Sequence, residues 1–338
     1  MPGFKQVLAV MVFAVLPALT GCATDPTTGD RFFTLSPSWD SDVSLGLEAA
    51  PSFRDEFGGP VPDTAIRDYV TEVGMSMVPY VEEGVPGDLP WEFTILNSDV
   101  LNAFALPGGQ VFITRGLASQ LKNEAELAGV LGHEIGHVTA RHGNRQMSRA
   151  MLVQGGLVAG AIVIGAADED SVLRRYGQYG LPVAQVGGQL VVLRYGRDAE
   201  YQADELGMRY MSRAGYKPSG QRGVMMTLAR LSEGGQRPPV WLSTHPYPDD
   251  RVARIDNLLN STFREAEASS ANVTRPEVYA RRMLRPLAAL PPAPPPPVGD
   301  ETAMLLDEVL WCGICRGEAE DLRLASRWSR RIGAHDAR

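Results

Sequence analysis

Apolar residues recur at three- and four-residue steps along several stretches of the chain, and at two-residue steps along two others. Asp63 has the character of a helix N-cap, and Ile66, Val70, Val73, Met77 and Val81 then mark one face of an amphipathic helix. "WEFTILNS" and "GQVFITRG" alternate and are rich in β-branched and aromatic residues. They predict two strands joined by the loop "DVLNAFALPGG", which ends in the turn signal Pro107-Gly108-Gly109. Asn123 opens the next helix, with Glu126 three residues on as its capping-box partner. Leu127, Val130, Leu131, Ile135 and Val138 give that helix its buried face. Further helices are predicted from Gln189 to Ala214, closed by Gly215 with Pro218 beyond, over "PSGQRGVMMTLARLSE", and over "DDRVARIDNLLN". The sum is a mostly helical α+β domain over residues 61–265 with one small sheet.

The flanks differ in character. Residues 1–21 carry Lys5 and then an apolar run from Val7 to Leu19, shorter than the roughly 20 residues of a membrane span. A charged start, a short apolar middle and small residues before a cut site predict a secretory signal. Its ending, Leu19-Thr20-Gly21-Cys22, resembles the lipobox of bacterial lipoproteins. That resemblance implies cleavage before Cys22 and a lipid on Cys22, which would hold the chain to a membrane without a spanning helix. Ala23, where an aspartate would retain a lipoprotein at the inner membrane, implies the periplasmic face of the outer membrane.

Residues 22–60 are rich in Pro, Gly, Ser, Thr and Asp and read as a tether that packs locally through Phe32, Phe33 and Trp39. The stretch 151–167, "MLVQGGLVAGAIVIGAA", falls short of the about 18 apolar residues expected of a span. It reads as a buried or membrane-apposed hairpin able to cover a site. Residues 266–298 form a linker ending in a stiff polyproline spacer, and 299–338 a short charged tail. The tail's "WCGIC" has thioredoxin-motif spacing without a βαβ context, so Cys312 and Cys315 read as a local disulfide or free thiols. The net charge of -8 argues against nucleic acid as a partner.

Three of the five histidines fall in "VLGHEIGHVTARHGNR". His133 and His137 are four apart, so on a helix they share a face and can meet one cation. Glu134 lies about 100° round the helix, too far for easy ligation but close enough to take a proton from a water on the metal. Gly132 and Gly136 each cost a helix about 1 kcal/mol, which predicts that another element packs against this backbone. The extension H-E-x-x-H-x-x-G-x-x-H fails, because Ala140 and Gly143 stand at its glycine and histidine positions. A third ligand is better sought in "RDAEYQADELG", where Glu200 and Asp204 share a helical face. Glu200 can ligate, and Asp204 can accept a hydrogen bond from a ligand imidazole.

These blocks, with "NAFALPGGQVFIT" before them and "STHPYPDDRVARI" after, occur in an order that resembles the gluzincin zinc metallopeptidase family including BepA, LoiP, HtpX and the CAAX prenyl proteases. The resemblance implies a zincin-like catalytic domain and a zinc-dependent endopeptidase holding one zinc ion per chain. It implies His133, His137 and Glu200 as ligands, Glu134 as general base and Asp204 as the partner behind a ligand. It adds His245 and Arg251 near the metal, either of them able to stabilise the oxyanion, with a latch on the open metal position as the other reading of His245. A protease must also hold its substrate extended. "GQVFIT" or the adjoining "NAFALPGG" is assigned to that task, with Asn102 and Ala103 nearest the chemistry and a plain hairpin as the alternative. The implied substrates are misfolded or unassembled cell-envelope proteins, with outer-membrane assembly machinery as a candidate partner. A chaperone or assembly factor using the same cleft, with proteolysis latched or minor, is the second function class.

Overall fold

The computed structural model describes residues 21–150, 195–233, 240–246 and 248–295. The apolar run Val7 to Leu19, the stretch 151–167, the first turns of the helix predicted from Gln189, and the Cys312–Cys315 tail lie outside the described residues.

The sheet has three strands: β3 (Glu92–Leu96), β4 (Ala103–Leu106) and β5 (Gln110–Thr114). β5 is central, parallel to β3 and antiparallel to β4, with Phe104 opposite Phe112. The stretch predicted as a connecting loop therefore contains the edge strand β4. It is four residues long and largely buried on both faces, so no polar–apolar alternation marks it. Both sheet faces are covered. Phe93, Ile95, Ala103, Val111 and Ile113 join the main core, while Leu96, Phe104, Leu106 and Phe112 form a second cluster with Ala49, Ala50 and Phe53.

Those last three residues correct the reading of 22–60 as a tether. A hairpin, β1 (Cys22–Thr24) paired with β2 (Arg31–Phe33), leads into an 18-residue helix, α1 (Trp39–Glu56). Ser38 caps α1, and its apolar residues close the second face of the sheet. The small and polar residues that resembled a linker are here an N-cap, turns and a close helix–turn contact, where a Cβ on Gly46 would collide with the Pro107 carbonyl. At the other end, residues 276–289 fold back as short helical turns with Tyr279 and Met283 buried in the core. Tyr279 Oη donates to the Ala118 carbonyl at 2.6 Å. The linker thus begins later than residue 266.

α2 (Thr64–Met75) starts where expected, with Asp63 Oδ1 accepting from the Ile66 N–H at 3.1 Å. The central helix α4 (Glu124–Thr139) follows a one-and-a-half-turn helix, α3 (Arg115–Gln120). Asn123 Oδ1 accepts from the Glu126 N–H at 3.0 Å, and the Glu126 carboxylate accepts from Lys122 N–H, one residue earlier than a capping box requires. α5 (Arg197–Arg213) lies on α4 backbone to backbone. A Cβ on Gly136 would sit 3.0 Å from the Ala203 carbonyl oxygen, and one on Gly207 would sit 2.8 Å from the His133 nitrogen. The glycines around the motif do admit a packed helix, and that helix carries Glu200 and Asp204. α6 (Ser219–Glu233) and α8 (Pro248–Asn260) complete the core, with the short α7 (Val240–Thr244) before His245.

Candidate metal centre

α4 presents His133 and His137 on one face, and α5 brings Glu200 against them. His245 arrives from the end of α7, its backbone N–H bonded to the Trp241 carbonyl at 2.8 Å. All four side chains are buried. His133 Nε2 lies 3.0 Å from His137 Nε2 and 3.2 Å from His245 Nδ1. Glu200 Oε1 lies 3.1 Å from His245 Nδ1 and 3.5 Å from His137 Nε2, and Glu200 Oε2 lies 3.5 Å from His133 Nε2. A tetrahedron with about 2.0–2.1 Å from centre to corner has edges of about 3.3–3.4 Å. These five separations bracket that size, and three imidazoles with one carboxylate are a borderline donor set that suits zinc.

Behind His133 stands an ionic wall. Its Nδ1 lies 3.0 Å from Asp204 Oδ1. Arg251, fully buried, grips both Asp204 oxygens with Nε and Nη2 at 2.7 and 2.6 Å. Its Nη1 reaches Glu200 Oε2 at 2.7 Å, and Gln221 Nε2 donates to Asp204 Oδ1 at 2.7 Å. Burial and the Arg251 charge oppose protonation of His133, yet its bonds to Asp204 and Glu200 hold its pKa up at about 9. Burial alone would raise Glu200, but His245 and Arg251 hold it well below the carboxylate range. Behind His137 the surroundings are neutral. Its Nδ1 meets His142 Nδ1 at 3.0 Å, and Tyr195 stacks on its ring at 4.0 Å between centroids. Burial, then the neighbouring His133, hold His137 well below the ordinary histidine pKa.

Residues 66–259 match the model of Peptidase family M48. That span contains every donor of the cluster. The chain belongs to peptidase family M48. Over 215 residues, 62% of this chain, it is 32% identical to the beta-barrel assembly-enhancing protease of Yersinia pestis, matching 42% of that protein. The Escherichia coli K12 protein of the same name is 28% identical over 76% of this chain and 53% of its own length. The mitochondrial metalloendopeptidase OMA1 of Schizosaccharomyces pombe is 30% identical over 68% of this chain and 66% of its own. The chain spans about half the length of the bacterial relatives it matches.

Of the other residues singled out in the sequence, Glu134 lies against the cluster, while Asn102, Ala103 and Cys22 lie elsewhere on the chain's strands and their flanks. Glu134, buried, lies 3.6 Å from His245 Nε2 and accepts from the Trp241 indole N–H at 3.2 Å. Trp241 also stacks on His245 at 4.6 Å and donates its backbone N–H to the Leu101 carbonyl. Asn102 adjoins that carbonyl. Its side-chain amide is buried, and both of its polar atoms lack a hydrogen-bond partner among the described residues. Ala103 begins β4, the sheet edge. β5, the "GQVFIT" alternative for a substrate edge, is paired on both sides and cannot accept another strand. Cys22 is exposed at the start of β1.

Sequence reasoning missed Trp241, Tyr195, His142, Gln202 and Gln221. His142, five residues after His137, has no ligand spacing in the sequence. α4 ends at Thr139, and Arg141 takes a left-handed conformation at φ 54°, which folds His142 back beside His137. Arg141 is held in that turn by Asp42 at 2.7 Å and by the carbonyls of Ser36, Pro37 and Ser38. Only the "ARHG" after the motif, a polar run at a helix end, hinted at it.

Proposed function

We propose that this chain is a zinc-dependent endopeptidase acting on unfolded or misassembled envelope proteins. The observation that carries the reading is the buried cluster of His133, His137, Glu200 and His245 with the Glu134 carboxylate beside it. Zinc bound there would supply a Lewis acid that polarises a peptide carbonyl and lowers the pKa of water to about 7. Glu134 takes the proton from the attacking water and passes it to the leaving amine, with Trp241 fixing one of its oxygens. Asp204 orients His133, and Arg251 is a positioning residue for Glu200 and Asp204 rather than an oxyanion donor, since its guanidinium is committed to those carboxylates. β4 offers the edge for an extended substrate, and the unpartnered Asn102 amide supports its role in holding a substrate main chain.

His245 is a fourth donor in the cluster, whereas a catalytic site has three protein ligands and keeps one position open. That favours its reading as a latch, and it keeps the second function class in play: a chaperone or assembly factor whose proteolysis is held off at rest. The names of the bacterial relatives support envelope proteins as substrates and assembly machinery as partner. Cys22, exposed at the first position of the hairpin, fits a lipid anchor at the periplasmic face of the outer membrane. The mature N-terminus by mass spectrometry decides the anchor, an unmodified residue there excluding it. For the activity, purified protein is incubated with an unfolded model substrate, with and without a chelator, beside Glu134→Gln. Cleavage by wild type that the chelator abolishes and zinc restores is expected, and none by Glu134→Gln. Equal cleavage by Glu134→Gln would end the mechanism.

A further inference from the structure

The neutral side of the centre contains a hydrogen-bond chain whose direction can be worked out atom by atom. Gln202 Nε2 lies 2.9 Å from Asp25 Oδ2 and also meets Thr27 Oγ1. A carboxylate ionised beside Arg145 only accepts, so the amide nitrogen of Gln202 is the atom that faces Asp25. The Gln202 oxygen is then the atom 3.1 Å from His142 Nε2, and a carbonyl oxygen only accepts. His142 must donate from Nε2, which leaves Nδ1 of a neutral ring as an acceptor. That acceptor lies 3.0 Å from His137 Nδ1. His137 therefore carries its proton on Nδ1, and its Nε2 lone pair is left facing His133 and Glu200. Each bond admits one direction, and all agree.

We infer that His142, Gln202 and Asp25 are positioning residues for His137, which makes the β1–β2 hairpin starting at Cys22 a structural part of the metal centre. The inference rests on the proposed zinc site. Asp25 and Thr27 sit between β1 and β2, more than a hundred residues from the histidine they help to orient. Asp25 is nearly fully buried, Arg145 lies over the Phe32 ring at 4.0 Å, and the Asp25 carbonyl and N–H close the hairpin turn on Gly29 and Asp30. The hairpin thus fixes the far end of the chain. A ligand imidazole whose other nitrogen is held keeps its ring angle and tautomer, and loss of such a partner typically weakens metal binding about 10–100-fold.

The test measures zinc affinity by competition against a chromophoric chelator in wild type, His142→Leu, His142→Asn and Gln202→Leu, with circular dichroism on the zinc-free proteins as the folding control. His142→Leu removes the acceptor and should weaken zinc about 10–100-fold. Asn at 142 places an oxygen where Nδ1 stood, accepts from His137, and should recover most of the loss. Gln202→Leu frees His142 to hold its proton on Nδ1 and should weaken zinc by a smaller factor. Independently of any variant, nitrogen-15 NMR of the zinc-loaded protein should find the His142 proton on Nε2. Zinc affinity unchanged in a folded His142→Leu, or a His142 proton on Nδ1 in wild type, overturns the chain while leaving the zinc site intact. Asn giving no recovery over Leu likewise overturns it, since packing alone would then explain the loss. A folded wild type that binds no zinc overturns the site reading and this inference together.

Discussion

His133 and His137 stand one turn apart on α4 and aim Nε2 at the same point, but the surroundings behind them are opposite. Behind His133, at Nδ1, are the Asp204 carboxylate and the buried Arg251 guanidinium, which also grips Glu200, the donor 3.5 Å from Nε2 of both rings. Behind His137 are a neutral imidazole, an amide and a tyrosine ring, and on that side the Asp25 carboxylate stands three hydrogen bonds away. The two histidines shift in opposite directions as a result, His133 up to about 9 and His137 well below its usual value. The lesson is one of division. The ionic side fixes geometry with strong, short, mutually dependent bonds and fails badly if one partner is lost. The neutral side fixes a tautomer through weaker bonds and recruits a distant hairpin to do so.

The comparison predicts a graded set of responses. The largest belongs to the ionic wall. Arg251→Met leaves Glu200 and Asp204 buried without their cation, which should cost about 3–5 kcal/mol. Urea unfolding of the zinc-free protein measures it, and a loss under about 1 kcal/mol would mean that the wall is not a coupled ion pair. Next is His245, which belongs to neither wall. As a latch its replacement by alanine should raise basal cleavage of an unfolded substrate several-fold, because a few kcal/mol between closed and open states leaves a small active fraction. The oxyanion reading predicts a loss of roughly a hundredfold instead. A drop of that size at unchanged zinc content would make His245 catalytic.

Smaller effects sharpen the geometry. Gly136→Ala should gain about 1 kcal/mol in helix propensity and lose about 1–3 kcal/mol where the new methyl meets the Ala203 carbonyl, since that neighbour is backbone and cannot turn aside. A net fall in melting temperature with weaker zinc binding is expected; a stabilised protein would show that α4 and α5 can part without cost. Smallest is Arg145→Met on the neutral side. Arg145 is partly exposed, and Asp25 keeps its bonds from Thr27 and Gln202, so the loss should be about 1 kcal/mol or less. A loss matching that of Arg251→Met would erase the distinction between the two sides.

The same contrast explains what could be read from the chain beforehand. The donors and Asp204 are written at helical period: His133 and His137 at four residues, Glu200 and Asp204 at four, with glycines where the two helices touch, whereas Arg251 and Gln221 come from other helices and carry no such spacing. Local spacing is enough to place such residues. The neutral side depends on a left-handed turn at Arg141, on a hairpin read as a tether, and on Gln202, an unremarkable amide in a charged helix. None of these has a periodic signature. β4 was hidden for a related reason: a short edge strand buried on both faces shows no alternation, so its position became visible only from its pairing with β5.

The central claim is that His133, His137 and Glu200 hold a catalytic zinc for which Glu134 is the base. It is tested most directly by measuring zinc content and cleavage of one unfolded substrate on the same preparations of wild type, His133→Ala and Glu134→Gln. The account predicts one zinc per chain with cleavage in wild type, no zinc and no cleavage in His133→Ala, and one zinc without cleavage in Glu134→Gln. Full zinc in His133→Ala, or cleavage surviving in Glu134→Gln, would contradict it.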